Sequence, residues 1–440
     1  MVVAAPWAEA DAAESLPVPQ LYGLYSWAAN YVRYADDIQK TGIRWVRAGG
    51  WEDNKEAEEA ALTAARNGVY LTPTLYMKEL SHDRTMPVEE AVSTFRENVR
   101  ASVLRYGPGG TLWKEHPDVK PLPIRYWQIW NEPNIEFLNP GETGLLRTEL
   151  YAKLLKAATE EIRKADPGAK IIAFNTAGGV PDRGQALKAD GMFQKIKYIG
   201  WRKFIRDVVE LAGPDSYDYI GTHPYTMPSS PEAGGLVGGI EMIREWEKEA
   251  NLKARPIWFT EVGFPIEYPN QRQVRDERQQ ACFTVRLYAL AGAHGVTQVQ
   301  VMYVEDIIYG PDNSRRSFGF FVKPGQWREQ AKATRVMIKL IPDPRKDVRT
   351  LSEKADGVCA FEFKGPGGEP VLMAWNAGEG AVEHQFDGYG KGAILVDMLG
   401  AVSRVEAEGG KVKLKLTEAP VYVLSQQKWQ REDVERLLAE

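Results

Sequence analysis

Two glutamates sit in segments that are otherwise apolar. Glu132 lies in Gln128-Ile129-Trp130-Asn131-Glu132-Pro133, and Glu261 in Ile257-Trp258-Phe259-Thr260-Glu261-Val262-Gly263. A carboxyl group directly after a buried run needs a partner or a task, because an ionised group is costly to remove from water. Two such carboxyls facing each other suit the cleavage of an acetal. One protonates the leaving oxygen, and the other puts negative charge beneath a developing oxocarbenium ion. At a separation of about 5–5.5 Å the second attacks directly and water enters in a later step, with net retention at the anomeric carbon. Arg47, Asn131, His223, Tyr225 and Tyr303 stand at the ends of candidate strands and would converge on the same place. Trp51, Tyr76, Trp130 and Tyr309 offer flat faces for a sugar, although each alone is equally well explained by core packing.

Other chemistry-bearing residues read differently. His82-Asp83 could touch a substrate, but is better explained as a hydrogen-bonded surface pair. Glu305 and Asp306 read as salt-bridge partners of Arg315 or Arg316 rather than as sugar ligands. His116, His294 and His384 lack ligand-type spacing, and Cys282 and Cys359 are too few for a disulfide framework or a four-ligand zinc site. No metal and no cofactor is therefore expected. No Gly-x-Ser-x-Gly elbow supplies a serine nucleophile.

The elements that must position these groups alternate. Strand candidates fall at 21–27, 44–50, 69–76, 125–132, 170–176, 219–226, 256–263 and 298–305, most of them apolar on both faces. Between them lie helical patterns with recognisable ends: Asn30 to Gly42, Asn54 to Gly68, Val88 to Gly107, and one that stops at Asp166-Pro167-Gly168. Further helices fit 201–211, 239–250, 276–293 and 326–340. Eight strands, each followed by a helix, predict an α/β fold, a (β/α)8 TIM barrel, whose catalytic groups stand at the C-terminal ends of strands. A doubly wound sheet is the alternative, but no glycine-rich phosphate loop follows the first strand. After Pro342-Asp343-Pro344 short alternating runs separated by glycine-rich turns predict an antiparallel β-sandwich, in which Val412, Leu414 and Leu416 face inward and the lysines between them outward. The expected organisation is an N-terminal extension over 1–18, the barrel over 19–341, the sandwich over 342–426 and a C-terminal helix over 427–440.

The segments Gln128–Asn134 (QIWNEPN) and Phe259–Pro265 (FTEVGFP), in this order and at the fourth and seventh strands, resemble clan A of the glycoside hydrolases. The resemblance covers about 20–341 and is strongest to family 39, including its exopolysaccharide-processing members, with family 5 as the other candidate. It implies that Glu132 is the acid/base and Glu261 the nucleophile. It also implies that Asn131 hydrogen-bonds the sugar 2-hydroxyl, that Arg47 and Tyr225 orient Glu261, and that His223 braces the cleft. Glu132 would then be protonated at rest and Glu261 ionised; once Glu261 is an ester, Glu132 can act as base towards water. One departure concerns strand eight, which ends in Val301-Met302-Tyr303-Val304-Glu305-Asp306 where many clan members carry a tryptophan platform. Tyr303 is the expected substitute.

Composition agrees with an ordinary globular chain: 440 residues, 44% hydrophobic, 10% aromatic and 26% charged, with a net charge of −5. That charge and the lack of basic runs argue against nucleic acid as partner, and no apolar stretch is long enough to span a membrane. The segment 1–18 reads as a linker: the protein is secreted or periplasmic if a signal peptide has been removed, and cytoplasmic otherwise. The expected activity is that of a retaining β-glycoside hydrolase on an oligo- or polysaccharide, with a carbohydrate as its one expected partner and the oligomeric state left open. Endo action is favoured, because Trp51, Tyr76 and Tyr309 would spread over several subsites. The alternatives are an exo-acting β-xylosidase, β-glucosidase or β-mannosidase, and a non-catalytic carbohydrate-binding protein on the same scaffold.

Overall fold

A computed structural model describes residues 16–51, 54–80, 86–135, 137–139, 147–178, 199–268, 272–309, 314–354 and 356–440. Eight strands close into a barrel in chain order: β1 (Tyr22–Trp27), β2 (Trp45–Gly49), β3 (Tyr70–Leu75), β4 (Tyr126–Ile129), β5 (Lys170–Ala177), β6 (Tyr219–His223), β7 (Ile257–Val262) and β8 (Val296–Val301). Every neighbouring pair is parallel, including β1 with β8. The expected (β/α)8 architecture is therefore present, with its helices in the predicted gaps. The first helix begins at Ala28 and not at Asn30, and it stops where Gly42 adopts the left-handed conformation. Asn30 lies inside that helix and donates to Glu305 Oε1 at 2.5 Å. The helix expected from residue 326 begins at Glu329, because Gln326–Trp327 pairs with Phe321–Lys323 in a short hairpin.

The floor of the barrel is aromatic. Trp45, Tyr126 and Trp258 meet at ring-centroid distances of 5.0–6.0 Å, with Tyr70 stacked on Trp45 and Tyr219 against Trp258. A polar layer of Thr72, Gln128, Asn175, Gln298 and Gln300 is also buried. Gly221 on β6 is required there, since the Asn175 side-chain amide fills the space a β-carbon would take. The mouth carries the chemistry, as barrel architecture dictates.

The C-terminal region forms a six-stranded antiparallel sheet in the order 349–352, 358–364, 370–376, 421–425, 392–397, 402–406. Ala360, Leu372 and Val423 pack against the separate two-stranded antiparallel sheet of 382–387 and 411–416, whose Val412, Leu414 and Leu416 point inward while Lys413 pairs with Glu383. The other face, with Phe361, Met373, Trp375, Tyr422 and Leu424, is continuous with the barrel core. At that junction Arg286 of the helix after β7 and Glu232 of the β6 loop form a buried pair (2.9 and 2.5 Å), and Trp375 Nε1 donates to Glu232 at 2.8 Å. The sandwich is thereby packed onto the barrel. Removing one partner of a buried ion pair leaves the other uncompensated, so Glu232→Ala is expected to cost about 3–5 kcal/mol in urea unfolding. Trp375→Phe, which removes a hydrogen bond to a buried carboxylate and part of a fully buried ring, is expected to cost about 2–4 kcal/mol.

Candidate active site

Arg47 is the hub of the mouth. It projects from β2, is 1% exposed, and its guanidinium lies 4.1 Å from the centroid of the Tyr25 ring of β1. Nε donates to Thr74 Oγ1 of β3 at 3.2 Å, and Nη1 donates to Thr260 O and Glu261 Oε2 of β7 at 3.1 and 2.8 Å. Nη2 donates to Asn131 Oδ1 beyond β4. Tyr225, just past β6, donates from its hydroxyl to the other oxygen of Glu261 at 2.7 Å. Burial by itself would raise the Glu261 carboxyl, but the neighbouring His223 and Arg47 and the bonds from Tyr225 and Arg47 outweigh it and hold Glu261 below the usual carboxylate range. The Tyr225 phenol is pushed well above its ordinary range by burial and by the charge of Glu261, so it remains a donor.

Glu132 is placed by unusual backbone. Trp130 and Glu132 both have positive φ (66° and 45°), a region sparsely used by side chains other than glycine. The turn holds because Trp130 N–H donates to Leu75 O at 2.9 Å and Glu132 N–H to Asn175 O at 3.0 Å. Phe174 and Asn175, also left-handed, form the irregularity in β5 beside that acceptor. Buried Asn134 clamps the turn to β5, accepting from Ala177 N–H at 2.9 Å and donating to Ala177 O at 3.0 Å. The result sets Glu132 Oε1 2.9 Å from His223 Nδ1, and Glu132, His223 and Glu261 present ligand-type atoms all within 4.8 Å of one another. A divalent cation could bridge such a trio, but Arg47, Tyr225 and His223 already engage both carboxylates.

The aromatic residues are distributed differently from the expectation. Trp51 and Trp130 are buried: Trp51 packs on Tyr106, and Trp130 against Tyr76 and Phe95 with its indole N–H given to Phe137 O. Neither has a face left for sugar, and Tyr76 is half-buried beside Trp130. Tyr303 does not replace the missing tryptophan of strand eight. It is turned inward, 1% exposed, packed on Tyr25, and its hydroxyl accepts from Trp27 N–H at 2.8 Å. Met302 takes the mouth position instead, its sulfur 2.7 Å from the Tyr225 hydroxyl. The face that sequence reasoning missed is Trp27, at the end of β1 and 46% exposed. Its indole lies against Gly50, where a β-carbon would come within 2.8 Å of Cε3. The signal was available, since Trp27 ends the first strand as Arg47 and Glu261 end others. Asp306 pairs with Arg315 at 2.7 Å as expected, whereas Glu305 binds Asn30, Arg33 and Tyr34. His82, Asp83, most of the segment 177–200 and the side chain of Tyr309 lie outside the described residues.

The chain is thus a (β/α)8 barrel whose mouth joins two carboxylates, an arginine and a tyrosine at the C-terminal ends of its strands. No protein-family model and no curated protein sequence matches the chain. Among solved structures, the chain resembles a family 39 glycoside hydrolase from the gut symbiont Bacteroides cellulosilyticus WH2, with 19% identity, TM-score 0.67, and 93% of this chain and 81% of that one covered. It also resembles a glucosidase from Croceicoccus marinus (11%, TM-score 0.63, 92% and 95% covered). A third is a monomeric β-xylosidase from Caulobacter crescentus CB15 (13%, TM-score 0.59, 92% and 96% covered). The fold is thus shared with glycoside hydrolases, several of them of family 39. Among the described residues, no helix is long and apolar enough to cross a membrane.

Because the Tyr225 bond favours the ionised form of Glu261, Tyr225→Phe raises that carboxyl. The acidic limb of kcat/KM against pH is expected to move to higher pH, with loss of rate greatest at low pH.

Proposed function

We propose that the protein is a retaining β-glycoside hydrolase acting on an oligo- or polysaccharide. The observation that supports this most strongly is the separation of Glu132 and Glu261, within 4.8 Å at their approaching atoms. An inverting pair needs about 6.5–9.5 Å to admit a water between carboxyl and sugar, whereas a retaining pair needs about 5–5.5 Å. Glu261, held ionised by Arg47 and Tyr225, attacks the anomeric carbon as Glu132 gives its proton to the leaving oxygen. Forming the ester removes the charge of Glu261 and releases Arg47 Nη1 and the Tyr225 hydroxyl from a carboxylate to an ester oxygen. Glu132, now a carboxylate beside His223, takes a proton from water, which attacks the same carbon and returns Glu261. Asn131, with its side-chain oxygen held by Arg47, has its amide N–H group available as donor to the sugar 2-hydroxyl.

Endo action is the finer reading, and Trp27 supports it in place of the buried platforms. Its exposed ring lies on β1 beyond Tyr25 and Arg47, and would stack on a sugar outside the one being cleaved. Trp27→Ala is expected to raise KM about tenfold on long oligosaccharides, the loss of roughly one stacking contact, with little change on aryl monoglycosides. Monosaccharide or disaccharide as sole early product, released while the polymer stays long, would overturn endo action.

The catalytic assignment is tested chemically. A 2-deoxy-2-fluoro glycoside with a good leaving group should add to Glu261, seen by intact mass and peptide mapping; label on another residue would sink the assignment. Glu132→Ala should lose far more activity on poor leaving groups than on activated aryl glycosides, and azide should restore turnover as a β-glycosyl azide. An inverted product by NMR at early time would rule out the double displacement.

A further inference from the structure

The wall of the mouth built by the segments after β7 and β8 carries positive charge that the proposed chemistry leaves unused. These segments are zipped together, Ile266 N–H donating to Ser317 O and Ser317 N–H to Glu267 O, each at 3.0 Å. An aromatic file leads outward from Glu261: Tyr225, then Phe318 edge-on at 6.3 Å, then Tyr268 edge-on to Phe318 at 5.8 Å. The Arg316 guanidinium lies over the Tyr268 ring at 5.1 Å. Arg272 stands in the same corner, next to Gln273, whose side-chain oxygen accepts from Tyr268 N–H at 3.2 Å. Burial raises the Tyr268 phenol; Arg316 and Arg272 oppose that rise, while Glu132 and Glu261 add to it. The phenol is therefore within electrostatic reach of both the two cations and the carboxylate pair.

The neighbouring acids are committed elsewhere. Glu267 accepts from Ser317 Oγ at 2.6 Å and lies 3.4 Å from Arg315, and Asp306 binds Arg315 and Arg328 at 2.7 and 2.6 Å. Arg272 is half-buried and forms no ion pair with any of the described residues. A partly desolvated guanidinium gains from meeting an anion, and its planar fork matches a carboxylate or sulfate through two parallel hydrogen bonds.

We propose that Arg272, with Arg316 and Tyr268, binds an anionic substituent on a sugar next to the one that is cleaved, so that the substrate is an acidic oligo- or polysaccharide. This rests on the glycosidase reading of the site and adds the charge of its substrate. The test is binding to the Glu261→Gln variant, by calorimetry at low salt, of glucuronate, galacturonate, glucose 6-sulfate and galactose 6-sulfate against glucose and galactose. At least one acidic sugar is expected to bind about tenfold more tightly than its neutral counterpart, the worth of one charge-assisted hydrogen bond. The carboxylate and sulfate arms distinguish which anion is read. Adding Arg272→Ala should bring acidic and neutral sugars to parity, Arg272→Lys should keep part of the preference, and raised salt should weaken it. Equal binding of acidic and neutral sugars, or a preference that survives Arg272→Ala, overturns the proposal. A failure of the glycosidase reading shows separately, as absence of turnover of aryl β-glycosides by the unaltered protein.

Discussion

A single buried guanidinium ties the mouth of this barrel together. Arg47 reaches from β2 to Tyr25 on β1, Thr74 on β3, Asn131 beyond β4, and Thr260 and Glu261 on β7. A charge this deep is tolerable because its nitrogens find acceptors and a π-face covers it. The same contacts that satisfy the arginine hold Glu261 ionised at a set distance from Glu132. Stability of the arginine and readiness of the carboxylate are thus one arrangement seen from two sides.

The second constraint is backbone strain held by packing. Positive φ at Trp130 and Glu132 would be unfavourable in a free peptide, by about 1–3 kcal/mol each. It persists because β3 and β5 supply acceptors for the two amides, and because Asn134 and the buried Trp130 ring anchor the turn on both flanks. The burial of Trp130 therefore follows from positioning Glu132: the indole is the weight that keeps the turn folded, and it has no face to spare for sugar. Tyr303 makes a similar exchange on the far side of the mouth, where its hydroxyl holds the Trp27 amide and leaves the exposed ring to Trp27.

The antiparallel sheet contributes to the barrel from behind. Trp375 reaches Glu232 in the loop that follows His223 and Tyr225, and Arg286 binds the same carboxylate from the helix that follows β7. The loop bearing Tyr225 is in this way fastened at its outer end to the sandwich and at its inner end to Glu261.

Much of this was determined by the sequence alone, and the physical reason is periodicity. Eight doubly apolar runs separated by amphipathic helices have few packings other than a closed parallel barrel, and once the strands are in place their last residues must share one mouth. Glu132, Glu261, Arg47, His223 and Tyr225 were legible because polar groups at the ends of buried runs are locally improbable. The alternation of Lys411–Leu416 likewise determined its own facing. What only the tertiary structure decided was which aromatic ring is exposed, because burial depends on neighbours distant in the chain: Tyr106 covers Trp51, Tyr76 and Phe95 cover Trp130, and Tyr25 covers Tyr303, while Trp27 is left 46% exposed. Helix starts shifted for the same reason, Asn30 giving its amide to Glu305, 275 residues along the chain, instead of capping its own helix. Local pattern settles which residues can reach the mouth; only contacts across the fold settle which of them still face it.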